Sequence, residues 1–148
     1  MLTQILIGAA LIVATVLVHA VSLELILKAL LPVRTEIKVR WRTVVFALVV
    51  LAVFSAHIIE IWIWAIFYYM TASITEIPTW EAALYFSTSS FTTVGFGDLV
   101  LSEDWRLLSS FESTNGMILF GWSTAFIFEV VRHTYGNLYR SSAGYFSR

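Results

Sequence analysis

Three apolar segments, each longer than the roughly 20 residues needed to cross a bilayer core, constrain this chain more than any other feature. They run over about 5–31, 43–70 and 105–131. Each must be helical, because in lipid an isolated segment can satisfy its backbone only within itself. Hydrophobic residues make up 59% of the 148 and charged residues 13%, about half the charged share of a soluble domain. That composition excludes a soluble enzyme or a nucleic-acid-binding domain. The absence of cysteine excludes a disulfide or a thiolate metal site.

The charges are unevenly placed. Arg34, Lys38, Arg40 and Arg42 crowd the polar stretch 32–42, with Lys28 just before it, and Arg132, Arg140 and Arg148 lie in the C-terminal stretch 133–148 and at its edge. Glu76, Glu81, Asp98, Glu103 and Asp104 cluster between the second and third segments. The positive-inside rule therefore predicts a cytoplasmic 32–42 loop and C-terminus, with the N-terminus outside. The first segment has no basic n-region and exceeds the usual 7–15 apolar residues, so it reads as a retained span rather than a cleaved signal peptide. Trp41, Trp62, Trp64, Tyr68, Tyr69, Trp80 and Trp105 fall near expected span ends and read mainly as an interfacial belt.

Between the last two spans, residues 80–91 form a run of 12, or about 18 Å as a helix. That is too short to cross and suits a re-entrant half-helix. Pro78 and Thr79 supply a start signal, with Thr79 as N-cap and Glu81 in the positive first turn. Directly after it comes Thr92-Thr93-Val94-Gly95-Phe96-Gly97-Asp98. Two glycines flank one aromatic, with hydroxyl and β-branched residues before and a carboxylate after. Such a run suits a backbone whose carbonyls line up and replace the water around a bare cation.

In order and spacing these residues resemble the selectivity filter of the potassium channel family, usually Thr-Val-Gly-Tyr-Gly-Asp, with Phe96 in place of tyrosine. The resemblance covers about 44–132 and is most specific over 85–98. A short chain of this form resembles a bacterial, single-pore-loop member carrying one extra N-terminal span. By that resemblance the carbonyls of Thr93, Val94, Gly95 and Phe96, with the Thr93 hydroxyl, coordinate K⁺, and Gly97 closes the outer mouth. Thr92, Asp98, Tyr85 and Ser89 support the filter, with Asp98 bonded toward Tyr85. Ser89 stands where one pH-gated bacterial member has a buried glutamate, so no carboxyl pair lies behind the filter. Phe96 removes a phenol, which predicts support by aromatic packing more than by hydrogen bonds. The Gly-Phe-Gly also resembles the second pore of two-pore-domain channels, but this chain has one pore loop. Gly116 and Gly121 match the family's inner-helix glycines, either as a gating hinge or as close-packing positions. Ser123 and Thr124 are candidates to line a cavity, and Phe120, Phe126 and Phe128 to form a constriction.

Ionisable residues inside a span are costly, so they are functional or paired. His57 and Glu60 share one helical face, as do Glu112 and Asn115. By turn counting Glu60 and Asn115 fall at similar depth, which predicts a polar bridge between the second and third spans. The functional version makes His57 a proton sensor, and the structural version is helix glue. Glu24 and Lys28 form an i,i+4 pair, and His19 reads as structural. No span carries basic residues at every third position, so a voltage sensor is not expected.

The resulting expectation is an all-α membrane protein with three transmembrane helices, a re-entrant pore helix and a filter loop. Its parts are an extra helix (1–31), a basic cytoplasmic loop (32–42), a pore domain (43–132) and a tail (133–148) too short for a ligand-binding domain. One pore loop cannot surround an ion, and closed symmetry is the default for such assemblies. The family resemblance implies four copies, in a homotetramer within the bacterial inner membrane, touching lipid and passing K⁺ without a bound cofactor. The alternatives are a weakly selective cation channel and a non-conducting accessory membrane subunit. A membrane enzyme would rest on His57, Glu60 and Glu112, which lack a nucleophile or metal-ligand motif.

Overall fold

The computed structural model describes the backbone of residues 1–30 and 39–143. Its regular elements are all helices, with no strand among the described residues: α1 (Leu2–Leu30), α2 (Val39–Met70), α3 (Trp80–Phe91) and α4 (Arg106–Ala143). Neither proline falls within a described helix, as their missing N–H requires. α1 ends two residues before Pro32, and α3 starts two residues after Pro78.

Three helices are long and apolar enough to cross a membrane: Leu2–Leu30, Trp41–Met70 and Arg106–Arg132. Their outer faces carry large exposed apolar side chains, among them Leu6, Leu17, Leu51, Phe54 and Ile59. Apolar surface on that scale belongs against lipid rather than water. The protein is an integral membrane protein.

α1 packs against α2 and α4, while α3 packs between α2 and α4. The buried core gathers where α3 is seated and includes Trp64, Tyr68, Phe86, Phe91, Leu108 and Leu119. Trp64 and Tyr68 are fully buried there, which removes both from the interfacial belt proposed for them. Trp41, Trp62, Tyr69 and Trp80 are exposed, and Tyr69 stacks on Trp80 with ring centroids 4.0 Å apart.

Gln4 on α1 ties the first span to the start of α4. Its Oε1 accepts from the Leu107 backbone N–H at 3.1 Å, and its Nε2 donates to the Glu103 carbonyl at 3.3 Å. Leu107 N–H is one of the first-turn donors that a helix leaves without an internal partner, so a side chain from 103 residues away caps α4.

Two helices run longer than the apolar segments that announce them. α2 begins at Val39, inside the stretch read as a basic loop, and the remainder of that loop (32–38) lies outside the described residues, as does residue 31 of the expected first helix. α4 continues from 131 to Ala143, through most of the expected tail. Apolarity marks where lipid ends, and nothing in 132–143 obliges the helix to end there too: that stretch holds no proline.

Candidate functional site

α3 begins on a formed N-cap. Thr79 is extended (φ −130°, ψ 157°), and its hydroxyl accepts from Ala82 N–H at 3.1 Å. Glu81 lies in the first turn, where a carboxylate suits the positive helix end. At the other end Thr92 is the C-cap, and its hydroxyl donates to the Thr88 carbonyl at 2.7 Å.

Beyond that cap the backbone changes character. Thr93, Gly95 and Gly97 have φ of 62°, 54° and 77°, and Thr93 is the one non-glycine residue with positive φ among those described. Left-handed residues therefore alternate with Val94 and Phe96. Such alternation directs successive N–H groups to one side of the chain, leaving the carbonyls free to face the other. The N–H groups of Thr93, Gly95 and Phe96 turn back onto α3: Thr93 to the Ser90 carbonyl at 2.9 Å, Gly95 to the Ser89 carbonyl at 3.1 Å, and Phe96 to the Ser89 hydroxyl at 3.3 Å. Among the described residues, nothing donates to the carbonyls of Thr93, Val94, Gly95 or Phe96. Holding a β-branched residue left-handed costs roughly 1–2 kcal/mol, and the three bonds to α3 oppose that cost.

Asp98 closes the segment. Its carboxylate accepts from Tyr85 OH at 2.7 Å and from Leu99 N–H at 3.1 Å. The Tyr85 bond holds the Asp98 carboxyl below its usual value and raises the Tyr85 phenol. Tyr85 also stacks on Phe96, with rings 6.1 Å apart and nearly parallel at 5°. Hydrogen bonds therefore carry more of the support than the sequence led us to expect. Ser89 supplies two of the acceptors, its carbonyl and its hydroxyl. Nearby, Glu76 accepts from Ser102 N–H at 3.0 Å, and bonds led by its own backbone N–H lower its carboxyl.

α4 passes close behind α3. A Cβ on Gly116 would lie 2.0 Å from the Phe91 carbonyl oxygen, so this position has no room for any side chain. Ser113 donates to the Ser90 carbonyl at 2.7 Å and fastens the same contact. Gly121 is open, with nothing within 4 Å of a Cβ placed there. A cavity of about 460 Å³ lies between the 93–98 segment and α4, lined in part by Ser89, Thr93, Gly95, Ser109 and Ser113.

The buried polar residues pair differently from the bridge the turn counting suggested. Asn115 does not meet Glu60: its Nδ2 donates to Thr15 on α1 at 2.7 Å. Glu112 accepts from Tyr68 OH at 2.9 Å and from the Ser87 hydroxyl. Glu60 lies 2.8 Å from His57 Nδ1 and 2.8 Å from His19 Nδ1. Two side-chain links therefore join α2 to α4, Tyr68 to Glu112 and His57 Nε2 to the Ser123 hydroxyl at 2.9 Å. Turn counting expected polar links between these two helices but missed the partners, because it compared depth along two helices and ignored the third packed beside them.

Other candidates also move. Ser123 is buried against the histidines rather than open to a cavity, while Thr124 is exposed. Phe120 packs on His57 and Phe91 at 4.6 and 5.6 Å, Phe126 is half-buried and Phe128 is exposed. The sequence reading missed Thr15 and Ser87 as partners and gave His19 no specific one. The rarity of a histidine inside an apolar span was the available signal for His19. Glu24 and Lys28 pair at 2.6 Å on the exposed face of α1.

A family model described as an ion channel matches residues 56–133, more than half of the chain. The match takes in the second half of α2 from residue 56, all of α3 and the 92–98 segment, and α4 as far as residue 133. No curated protein and no solved structure matches the chain.

Proposed function

This chain belongs to the ion channel family, and we propose that it is the pore subunit of a potassium-selective channel. Four copies would meet on one axis, with Thr93, Val94, Gly95, Phe96 and Gly97 lining it and K⁺ passing as the permeant ion. The observation that carries this reading is the alternation of left-handed φ at Thr93, Gly95 and Gly97, with the intervening carbonyls free of internal donors. Unpaired carbonyls can replace the hydration shell of a cation. Val94 and Phe96 are 55% and 68% exposed in the single chain, which suits a segment completed by neighbouring copies.

The basic residues at 28–42 and 132–148 support a cytoplasmic placement of that side, with the N-terminus and the filter mouth facing out. In a bacterial host this is the inner membrane. Conduction is passive in this reading: no catalytic role, cofactor, ligand-binding domain or voltage sensor is assigned.

The test is ion flux through purified protein in liposomes under K⁺ and then Na⁺ gradients. The expected result is K⁺ flux without Na⁺ flux, lost on Gly95→Ala. Equal flux for both ions would replace this reading with a weakly selective cation channel. Absence of flux across a wide pH range would favour a non-conducting accessory subunit.

A further inference from the structure

His19, His57, Glu60 and Ser123 form a closed ring of hydrogen-bonding groups across three helices. Going round it, Glu60 Oε1 lies 2.8 Å from His19 Nδ1, and His19 Nε2 lies 3.3 Å from Ser123 Oγ. Ser123 Oγ lies 2.9 Å from His57 Nε2, and His57 Nδ1 returns to Glu60 Oε2 at 2.8 Å. The four residues are 0%, 5%, 0% and 4% exposed, so water has almost no access to their contacts. α1 supplies His19, α2 supplies His57 and Glu60, and α4 supplies Ser123.

Each contact in the ring needs one hydrogen between its two heavy atoms. A neutral imidazole brings one, a hydroxyl brings one, and an ionised carboxylate brings none. Two neutral histidines, Ser123 and an ionised Glu60 thus supply three hydrogens for four contacts. One nitrogen lone pair would then face an oxygen lone pair, beside a full negative charge buried within the spans. Both penalties vanish if the ring takes up one proton, which fills the fourth contact and brings its net charge to zero. A second added proton leaves a net positive charge in the same place. We infer that the His19–His57–Glu60–Ser123 ring is a proton-binding site that holds one shared proton and, while holding it, fastens α1 to the α2–α4 pair.

No other ionisable group of the described residues competes at the ring. From α1 the adjacent polar residue is Thr15, which is occupied by Asn115. From α3 the contact is the Phe91 ring, 6.1 Å from His57. From α4 come Trp122 against His19 at 5.2 Å and Phe120 against His57 at 4.6 Å. Glu112, the other carboxyl of this buried region, is committed to Tyr68 and Ser87. The Phe91 contact places the ring beside the end of α3, one residue before the cap at Thr92.

The same three ionisable residues have metal-ligand spacing, with ligand atoms within 4.8 Å of one another. The proton is the better occupant on two counts. Ring nitrogen to carboxylate distances of 2.8 Å are hydrogen-bond separations, whereas tetrahedral ligands at bonds of about 2 Å stand roughly 3.3 Å apart. A divalent ion on one carboxylate would also leave a net positive charge in the membrane.

The test is solid-state NMR on the full chain in bilayers, with ¹⁵N-labelled histidine and ¹³C-labelled glutamate carboxyls. Near neutral pH the expected signals of His19 and His57, told apart from that of His133 with a His133→Gln variant, are either one imidazolium beside an ionised Glu60 or two neutral rings beside a protonated Glu60. Two neutral rings with an ionised carboxylate, or two imidazoliums, would overturn the proposal. Glu60→Gln is the informative variant, because an amide donates to one histidine and accepts from the other. It completes the ring with no added proton. Wild-type thermal stability should fall as alkaline pH removes the proton, and Glu60→Gln should lose that dependence. Parallel pH profiles for the two proteins would count against the site. So would stoichiometric, His19-dependent binding of Co²⁺ with a ligand-field band, which would assign the ring to a metal instead. Neither readout depends on ion flux, so the proposal stands or falls apart from potassium selectivity.

Discussion

At Gly95 the backbone has φ of 54°, and a Cβ placed there meets nothing within 4 Å. The demand for glycine is therefore conformational rather than steric. An alanine would pay about 1–2 kcal/mol to stay left-handed, too little to unfold the chain. Relaxing that strain rotates the adjoining peptides, and the carbonyls with them. Gly95→Ala should thus keep its helical circular dichroism, with a modest fall in melting temperature, while its ion flux is lost. Asp98 offers a second test at this scale. Tyr85 lowers its carboxyl, so the contribution of the pair is present above the unfolded aspartate value near 3.9 and is lost as pH falls through the lower folded value. Tyr85→Phe removes the donor, and the Asp98 titration followed by carboxyl ¹³C shift should move up in pH. An unchanged titration would mean that the bond from Tyr85 does not set the carboxyl's affinity for its proton.

Between elements, the fit of α4 on α3 and α1 depends on two glycines that meet different obstacles. At Gly116 a Cβ meets the backbone carbonyl of Phe91 at 2.0 Å, whereas at Gly8 it meets the Phe111 ring at 2.5 Å. A carbonyl capping α3 cannot move without taking Thr92 with it, but a half-buried ring can turn. Gly116→Ala should therefore destabilise by more than about 2 kcal/mol, and Gly8→Ala by clearly less. Gly121→Ala, with open space around it, should gain up to about 1 kcal/mol of helix propensity. Thermal unfolding in detergent ranks the three, and the reverse order for Gly116 and Gly8 would refute the seating argument. The same contrast explains what was legible in the sequence. The α3 start was readable because Pro78, Thr79 and Glu81 act within one turn, and two of the three left-handed positions because glycine recurs at 95 and 97, whereas Thr93 carries no such mark. Asn115 and Thr15 pair across 100 residues. Periodicity gives the polar face of each helix but not which neighbour that face is turned toward. The α4 end was not legible for a different reason: the fall in hydropathy at 131 marks the end of the span, Arg106–Arg132, while the helix runs on to Ala143.

For the whole molecule, one copy presents one run of carbonyls and leaves Val94, Phe96, Val100 and Met117 exposed on that side. A single strand cannot surround a cation, so conduction in this reading requires a closed ring of copies. The number of copies can be read from a mixing experiment. Gly95→Ala subunits fold and assemble in this account but spoil the axis, so a channel conducts only when every subunit is wild type. With equal amounts of the two proteins and random assembly, a tetramer keeps about 6% of the wild-type flux per channel, a trimer about 12% and a dimer about 25%. Intermediate mixing ratios trace a fourth-power curve only for four copies. Native mass spectrometry of the same samples counts subunits without relying on flux, which separates poor co-assembly from a smaller ring. A residual flux near half would mean that each chain conducts by itself, and the 93–97 segment would then be no shared axis at all.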